Sequence, residues 1–440
     1  MEMKRNNNRQ EVVINFIDDN YNALQLLRHD IISDKLQIRS DNPQLTGLPR
    51  KICGFLGSPL ATNDYIWRDM TTADVNDIVC NCAAESGLSI TPSEVLTVLK
   101  SHRIPYVHPL REYVLSCPDY TPDQPDWIGF LAEQVTIEGD EQDQQLWTIC
   151  FRKWFVAMVA AWLDDNVVNQ QVLVLIGRQG IFKTTWLERL IPPQLRNYSC
   201  KMANAAQLNK DERLRIAEYG LIALDEIDAM TPRELNVMKS VITASDVAER
   251  AAYAYQKERR IRLASFCASG NKKEFLTDIT GNRRWLPFLV RNIQNPFFTT
   301  IPYQQIYAQA IYLIRHDFNY WFDLEDINAL ELHNEDFRAQ ENEEQLLPVY
   351  FDIPAEGKGK FLTTAEISDI LVTRGSIKKP MPLNRLGILL KQAGFLSKQI
   401  GAARTRGWIV YEKPLTEVEL NRTREAAVDV RTDEQMNSSF

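Results

Sequence analysis

No run of 18 apolar residues occurs anywhere in the 440-residue chain, so a membrane-spanning helix is not expected. Cysteine is sparse. The seven residues Cys53, Cys80, Cys82, Cys117, Cys150, Cys200 and Cys267 are scattered and odd in number. That argues against a disulfide framework and fits reduced thiols in the cytoplasm. The tight pair Cys80-Asn81-Cys82 lacks the second pair a structural zinc site needs. The polar, Asn-rich start Met1–Gln10 does not read as a secretory signal. Internal repeats and low-complexity tracts are also missing. Nor is there an overall excess of positive charge: the net charge is −8, which excludes a chain uniformly coated for nucleic-acid binding.

What is present is an ordinary globular composition, 45% hydrophobic and 25% charged, in a length that suits two to four domains. Charge is segregated. From Asp323 to Glu344 nine acids face the single base Arg338, whereas from Gly357 to Val410 ten Lys or Arg face only Glu366 and Asp369. An acidic belt therefore precedes a basic C-terminal module.

Val12–Ile17 and Lys35–Arg39 read as short strands, and Pro and Gly residues mark turns between Asp41 and Asn63. Thr71 or Thr72, and then Thr91-Pro92-Ser93-Glu94, read as helix starts. The proline-rich stretch Pro118–Asp126 reads as a boundary. Trp147, Phe151, Trp154, Phe155, Met158 and Trp162 recur at helical spacing and predict a core helix over about Glu141–Leu163. Residues 171–290 alternate strand-like and helix-like segments, the pattern of a mostly parallel α/β sheet. Its apolar runs are Gln171–Ile176, Gly220–Leu224 and Ile261–Ala268. The order helix Thr363–Thr373, helix Leu383–Gln392, strand Trp408–Tyr411 resembles a winged helix.

Four motifs carry chemistry. Gly177-Arg178-Gln179-Gly180-Ile181-Phe182-Lys183-Thr184-Thr185 follows an apolar run. A Gly-rich turn between strand and helix aims backbone N–H groups at one place, where they bind phosphate oxygens. Lys183 would reach the β- and γ-phosphates and Thr184 would ligate Mg²⁺. The usual pattern has Gly directly before the Lys, and here Phe182 stands there. If that position needs φ > 0, the side chain costs on the order of 1 kcal/mol or more. The second motif, Leu221-Ile222-Ala223-Leu224-Asp225-Glu226, places two acids at a strand end, Asp225 lying 42 residues after Lys183. Asp225 suits metal binding and Glu226 suits polarising an attacking water. The third is Ser269-Gly270-Asn271, where Asn271 can touch the γ-phosphate or orient water. The fourth, Gly281-Asn282-Arg283-Arg284-Trp285, suits an arginine finger supplied by a neighbouring subunit.

This order of motifs resembles the virulence-associated E family of mobile-element proteins, relatives of the superfamily 3 helicases of phages, plasmids and DNA viruses. The resemblance is specific over about residues 145–295 and weaker over 10–145, where His108-Pro109-Leu110-Arg111-Glu112-Tyr113 is similar to the segment before the family's motor. It implies an AAA+-like P-loop NTPase core, ATP and Mg²⁺ as cofactors, and hydrolysis between subunits of a homo-oligomeric ring, expected to be a hexamer. It further implies unwinding of single-stranded or forked DNA during replication of a phage or mobile element, in a bacterial or infected host cytoplasm, with a primase or replication protein as a further partner. By the same resemblance Lys183, Glu226, Asn271 and Arg283 or Arg284 are the catalytic set. A pore hairpin falls within Ala251–Arg260, where Tyr255, Lys257, Arg259 and Arg260 suit a grip on DNA. Lys378, Lys379, Arg404 and Arg406 are the corresponding candidates in the basic module. The expected domains are a mostly helical accessory or oligomerisation region at 1–140, the ATPase core at 141–300, a helical acidic connector at 301–345, a winged-helix-like module at 346–415 and a polar tail at 416–440. Two other readings stay open: an ATP-dependent switch or anti-phage defence ATPase acting on proteins, and, because of Phe182, a DNA-binding scaffold with an inactive nucleotide site.

Overall fold

The structure is a computed structural model that describes residues 2–40, 66–202, 215–249, 258–276, 282–339, 342–355, 359–378, 380–400 and 405–414. The turns expected between Asp41 and Asn63 and the tail 416–440 lie outside these residues. The chain is mixed α/β and forms two compact units, Met1–Phe337 and Arg338–Phe440.

The first unit opens with the helix Glu2–Ile17. The run Val12–Ile17, expected as a strand, is the last part of that helix. Val13, Phe16 and Ile17 recur at helical spacing and are buried together, so tertiary packing overrides the β-branched composition. Strands β1 (Leu27–Asp30), β2 (Lys35–Ser40), β3 (Ile66–Asp69) and β4 (Tyr106–Val107) form a sheet in the order β3-β2-β1-β4. The N-terminal region thus holds a small sheet beside its helices. These strands are short and bury polar side chains, Arg28, His29, Asp30 and Gln37, so no apolar alternation marks them. The helices Thr72–Ser86 and Pro92–Leu99 begin at capping boxes, Thr71 with Asp74 and Thr91 with Glu94. Each box satisfies two otherwise orphan backbone donors. Their Val75, Ile78, Val95, Val98 and Leu99 close the small core around Val13 and Ile17.

His108 starts the helix Pro109–Leu115 by accepting a bond from the Arg111 backbone N–H at its Nδ1, 3.2 Å away. Burial, with Arg111 nearby, holds its pKa down to about 4. The unfolded imidazole titrates near 6.5, so native stability is complete above that pH and falls as pH drops from about 6.5 to 4, by roughly 3 kcal/mol in all. Urea midpoints measured across that range are expected to fall more steeply for the natural chain than for His108→Asn, which keeps a capping acceptor without the charge. Equal pH slopes would show that His108 does not titrate this way.

The main sheet contains β5 (Val135–Ile137), β6 (Val172–Ile176), β7 (Ser199–Met202), β8 (Leu221–Leu224), β11 (Ser265–Gly270) and β12 (Trp285–Ile293), in the order β5-β12-β6-β11-β8-β7. All neighbours run parallel except the edge strand β5. Alternate residues face opposite sides. Leu173, Leu175, Ala223, Cys267 and Phe288 pack against the helix Glu141–Leu163, while Val172, Val174, Ile176, Ile222 and Phe266 pack against the helix Pro232–Thr243. The helix Glu141–Leu163 is long and apolar enough by composition to cross a membrane, but 67% of its apolar window is buried inside this fold. The proline-rich stretch Pro118–Asp126 joins two helices whose Leu110, Val114, Ile128 and Leu131 share that same core.

The run Ile261–Ala268 is not one strand. β9 (Asp246–Glu249) and β10 (Glu258–Ile261) form an antiparallel pair of their own, and β11 starts only at Ser265. Between them Arg262 is 1% exposed and donates to the carbonyls of Ala264, Val241, Ile242, Ala244 and Asn169. A buried guanidinium needs that many acceptors, and its turn ends one strand and starts the next.

In the second unit the helix Asn342–Tyr350 leads into β13 (Phe351–Asp352) and β14 (Lys360–Leu362). The helices Thr364–Gly375 and Leu383–Gln392 follow, then β15 (Leu396–Ile400) and β16 (Thr405–Glu412). β16 pairs antiparallel with β13, β14 and β15. The helices and sheet close over Leu362, Ile367, Leu371, Leu386, Leu390 and Trp408.

Candidate functional site

Chain order and sheet order disagree around β6. From β6 the chain goes to the far edge at β7, returns through β8 and β11, and ends on the other side of β6 at β12. Such a reversal opens a crevice at the carboxyl ends of the strands, where α/β sheets bind ligands. The turn Gly177–Phe182 fills the end of β6 and delivers the helix Lys183–Glu188. Gly177 is needed there because a Cβ would stand 2.7 Å from the Val290 carbonyl oxygen. Phe182 does adopt the left-handed conformation, with φ 68° and ψ 16°. The departure seen in the sequence is therefore a real backbone strain. Glu226 has φ 52° as well, and strained non-glycine residues of this kind cluster at functional sites.

A cleft of about 360 Å³ lies over this turn, lined by Gln179, Gly180, Phe182, Lys183, Thr184, Thr185, Asp225, Glu226, Ser269, Gly270 and Asn271. Lys183 is buried, and its Nζ donates to the carbonyls of Gly177 at 2.7 Å and Arg178 at 2.6 Å and to Asn271 Oδ1 at 3.3 Å. Burial lowers its pKa, opposed by Asp228 and Asp225. Thr184 Oγ1 donates to Asp225 Oδ1 at 3.2 Å and lies 3.0 Å from Ser269 Oγ, which itself donates to Asp225 Oδ1 at 2.8 Å. Burial pushes the Asp225 carboxyl up, but bonds from Lys201, Ser269 and Thr184 outweigh it and keep the group below its usual range. Asp225 is thus an ionised, hard oxygen donor beside two hydroxyls, a set suited to Mg²⁺ rather than a softer metal. Among the described residues no cluster of three or more His, Cys, Asp or Glu could hold a metal by itself, so any cation here would share its shell with hydroxyls and ligand oxygens. Asp228 fixes the turn after β11 by accepting from the backbone N–H of Asn271 at 3.0 Å and of Lys272 at 3.3 Å.

Two members of this site have no role assigned to them by the sequence. Ser269 is the last inward hydroxyl of β11; its place beside Asn271 was the only available sign. Lys201, on β7, forms an ion pair with Asp225 Oδ2 at 2.6 Å. Nothing in the sequence marks it, because Ser199–Met202 carries no apolar run.

The arginines are placed elsewhere. Trp285 of β12 pairs with Val172 of β6, so Arg283 and Arg284 sit at the amino end of the sheet. Four residue steps along β6, roughly 13 Å at a strand's rise, separate that level from the cleft. Arg283 is exposed. Arg284 Nε is buried without a hydrogen-bond partner, and burial with Arg283 beside it lowers the Arg284 pKa. Neither serves the cleft of its own chain. In the hairpin, Tyr255 and Lys257 and the Arg259 side chain lie outside the described residues, and Arg260 Nη1 donates to Glu218 at 3.2 Å.

In the second unit Lys378 and Arg406 are exposed, and Lys379 and Arg404 lie outside the described residues. Part of the basic excess is satisfied internally: Glu412, just past the window counted in the sequence, pairs with Lys360 and Arg374.

Residues 131–339 match the family model of the virulence-associated protein E-like domain. The chain carries a virulence-associated protein E-like domain. The motif order at 145–295 lies inside that match, and the domain spans the main sheet from β5 onward with every cleft residue. Among curated proteins no match to the sequence was found. Two solved structures, the A form apo structure and a further apo structure of the NrS-1 C terminal region, are similar at TM-scores of 0.44 and 0.43, with 11% and 12% identity, each covering 88% of this chain and 96% of its own.

Proposed function

We propose that the virulence-associated protein E-like domain is an AAA+-like P-loop ATPase, and that the chain works as a ring-forming superfamily 3-type DNA helicase in replication of a phage or mobile element. The observation that carries the nucleotide site is the convergence of Lys183, Thr184, Asp225, Glu226 and Asn271 on one cleft at the ends of β6, β8 and β11.

In this reading the backbone N–H groups of residues 177–185 and the Lys183 ammonium take the phosphate oxygens. Thr184 and Asp225 would hold Mg²⁺, which when bound offsets charge on the transferred phosphoryl group. Glu226 accepts the proton of the attacking water, and Asn271 orients that water or the γ-phosphate. Arg283 or Arg284 acts on the nucleotide of the adjacent subunit, a role supported by its distance from its own cleft. The second unit reads as a winged-helix-like module, with β15 and β16 as the wing and Lys378, Lys398 and Arg406 toward DNA. The paired β9 and β10 read as the base of a pore hairpin.

Hydrolysis by the full chain is expected to rise several-fold with single-stranded DNA, and a forked duplex should be separated in the presence of ATP. Robust hydrolysis with no DNA stimulation and no strand separation would replace the helicase with a switch acting on proteins.

A further inference from the structure

The two oxygens of Asp225 serve opposite sides. Oδ1 accepts from Thr184 at 3.2 Å and Ser269 at 2.8 Å, and so faces the start of the helix Lys183–Glu188. Oδ2 meets the Lys201 ammonium at 2.6 Å. That lysine comes from β7, the next strand out from β8. The two strands run parallel with Lys201 beside Ala223, and the Asp225 N–H donates to the Met202 carbonyl at 3.0 Å. Sheet register therefore fixes where the ammonium stands. Glu188 and Glu226 are further acids within its field. Lys183 does not fill this role, because its Nζ donates to the carbonyls of Gly177 and Arg178 and to Asn271.

The Lys201–Asp225 pair is partly in water, its side chains 45% and 26% exposed, and an ion pair so placed adds little to stability. Its effect falls instead on the cation that Asp225 would hold. One ammonium cancels the charge of the carboxylate that draws a divalent ion. A triphosphate restores the attraction, since it brings several negative charges of its own to the same corner. We propose that Lys201 is a positioning residue that couples metal to nucleotide: it keeps Asp225 Oδ1 turned to Thr184, and by neutralising Asp225 it makes tight binding of the divalent cation depend on the triphosphate. This rests on the nucleotide-site reading above. A lysine of purely structural use would act with the opposite sign, because its loss would let Asp225 turn away and would weaken the metal.

The test uses Mn²⁺ in place of Mg²⁺, with electron paramagnetic resonance of the full chain in the absence of nucleotide, and Asp225→Asn to define the Asp225-dependent site. Lys201→Met is expected to bind Mn²⁺ there about tenfold tighter than the natural chain, the scale of one unit charge acting on a divalent ion in a solvated site. Lys201→Arg should stay within twofold of the natural chain. Calorimetry with the preformed Mn²⁺–ATPγS complex should find Lys201→Met within threefold of the natural chain. Unchanged or weaker Mn²⁺ binding by Lys201→Met, a gain that survives Asp225→Asn, or an equal gain for the ATPγS complex would overturn the coupling while leaving the phosphate site in place. If the natural chain does not bind the ATPγS complex, the nucleotide reading itself falls, and the coupling with it.

Discussion

Replacing Glu226 with glutamine is expected to lower ATP turnover by about 10²-fold or more while leaving ATPγS affinity within a few-fold of the natural chain. The adjacent acids are held differently. Asp225 is bound by Lys201, Ser269 and Thr184. It is ionised and fixed in direction, which suits holding a cation and not moving a proton. Glu226 is exposed in the same cleft, and its left-handed backbone carries its carboxyl onto a different path from its neighbour's. Removing a general base removes roughly 10² to 10⁴ in rate. Glutamine keeps the size of the side chain and the same backbone strain, so binding should be spared. Single-turnover hydrolysis with excess enzyme reads this directly. Turnover within threefold of the natural chain would mean that Glu226 is not the base.

A second large effect is expected far from the chemistry. Arg262→Ala should destabilise the first unit by about 3–5 kcal/mol, and Arg262→Lys by an intermediate amount. The guanidinium is buried under Phe266, 5.0 Å from the ring centre, and its bonds among the described residues go to carbonyls. Three of its acceptors, the carbonyls of Val241, Ile242 and Ala244, are at the end of the helix Pro232–Thr243, where a cation also meets the negative end of the helix dipole. Alanine would leave five carbonyls without this donor, together with a cavity, and breaking a buried charged network is costly on this scale. Lysine has a compact ammonium that cannot span both the helix end and Asn169 as a planar fork does. Because Arg262 also anchors the start of β11, its loss should loosen the register that sets Ser269 and Asn271 beside Thr184 and Lys183. Chemical denaturation with the helix signal as readout measures this. A change below 1 kcal/mol for the alanine variant would contradict the role given to Arg262.

The central sheet could be read in advance because β6 and β8 are fully apolar, each leading into residues that line the cleft. A buried parallel strand looks that way whatever surrounds it. The helix Glu141–Leu163 was legible for the same reason, through its spacing of tryptophans and phenylalanines. The N-terminal sheet was not. Its inward positions are Arg28, His29, Asp30 and Gln37, and their burial depends on partners far along the chain: Asp30 accepts from Tyr198, and Arg28 donates to Glu112. No local pattern carries such pairings. Arg262 failed for a related reason. A single charge leaves the run Ile261–Ala268 apolar in pattern, and only the tertiary ring of carbonyls makes Arg262 a turn. In the cleft, Asp225, Glu226 and Asn271 could be named because they follow strand ends, and Lys183 and Thr184 because they open the helix after the Gly-rich turn. Lys201 could not, since its strand lies at the far edge of the sheet and joins the others only through β8.

The most direct measurement is equilibrium binding of ATPγS with Mg²⁺ to the full chain and to Lys183→Ala. Lys183 is the residue the loop itself folds around, through Gly177 and Arg178. Saturable, Mg²⁺-dependent binding at one site per chain, weakened at least tenfold (about 1.4 kcal/mol) by the substitution, is the expected result. Absence of binding to the natural chain at millimolar ATPγS, or equal affinity in the two proteins, would contradict a nucleotide site at the end of β6.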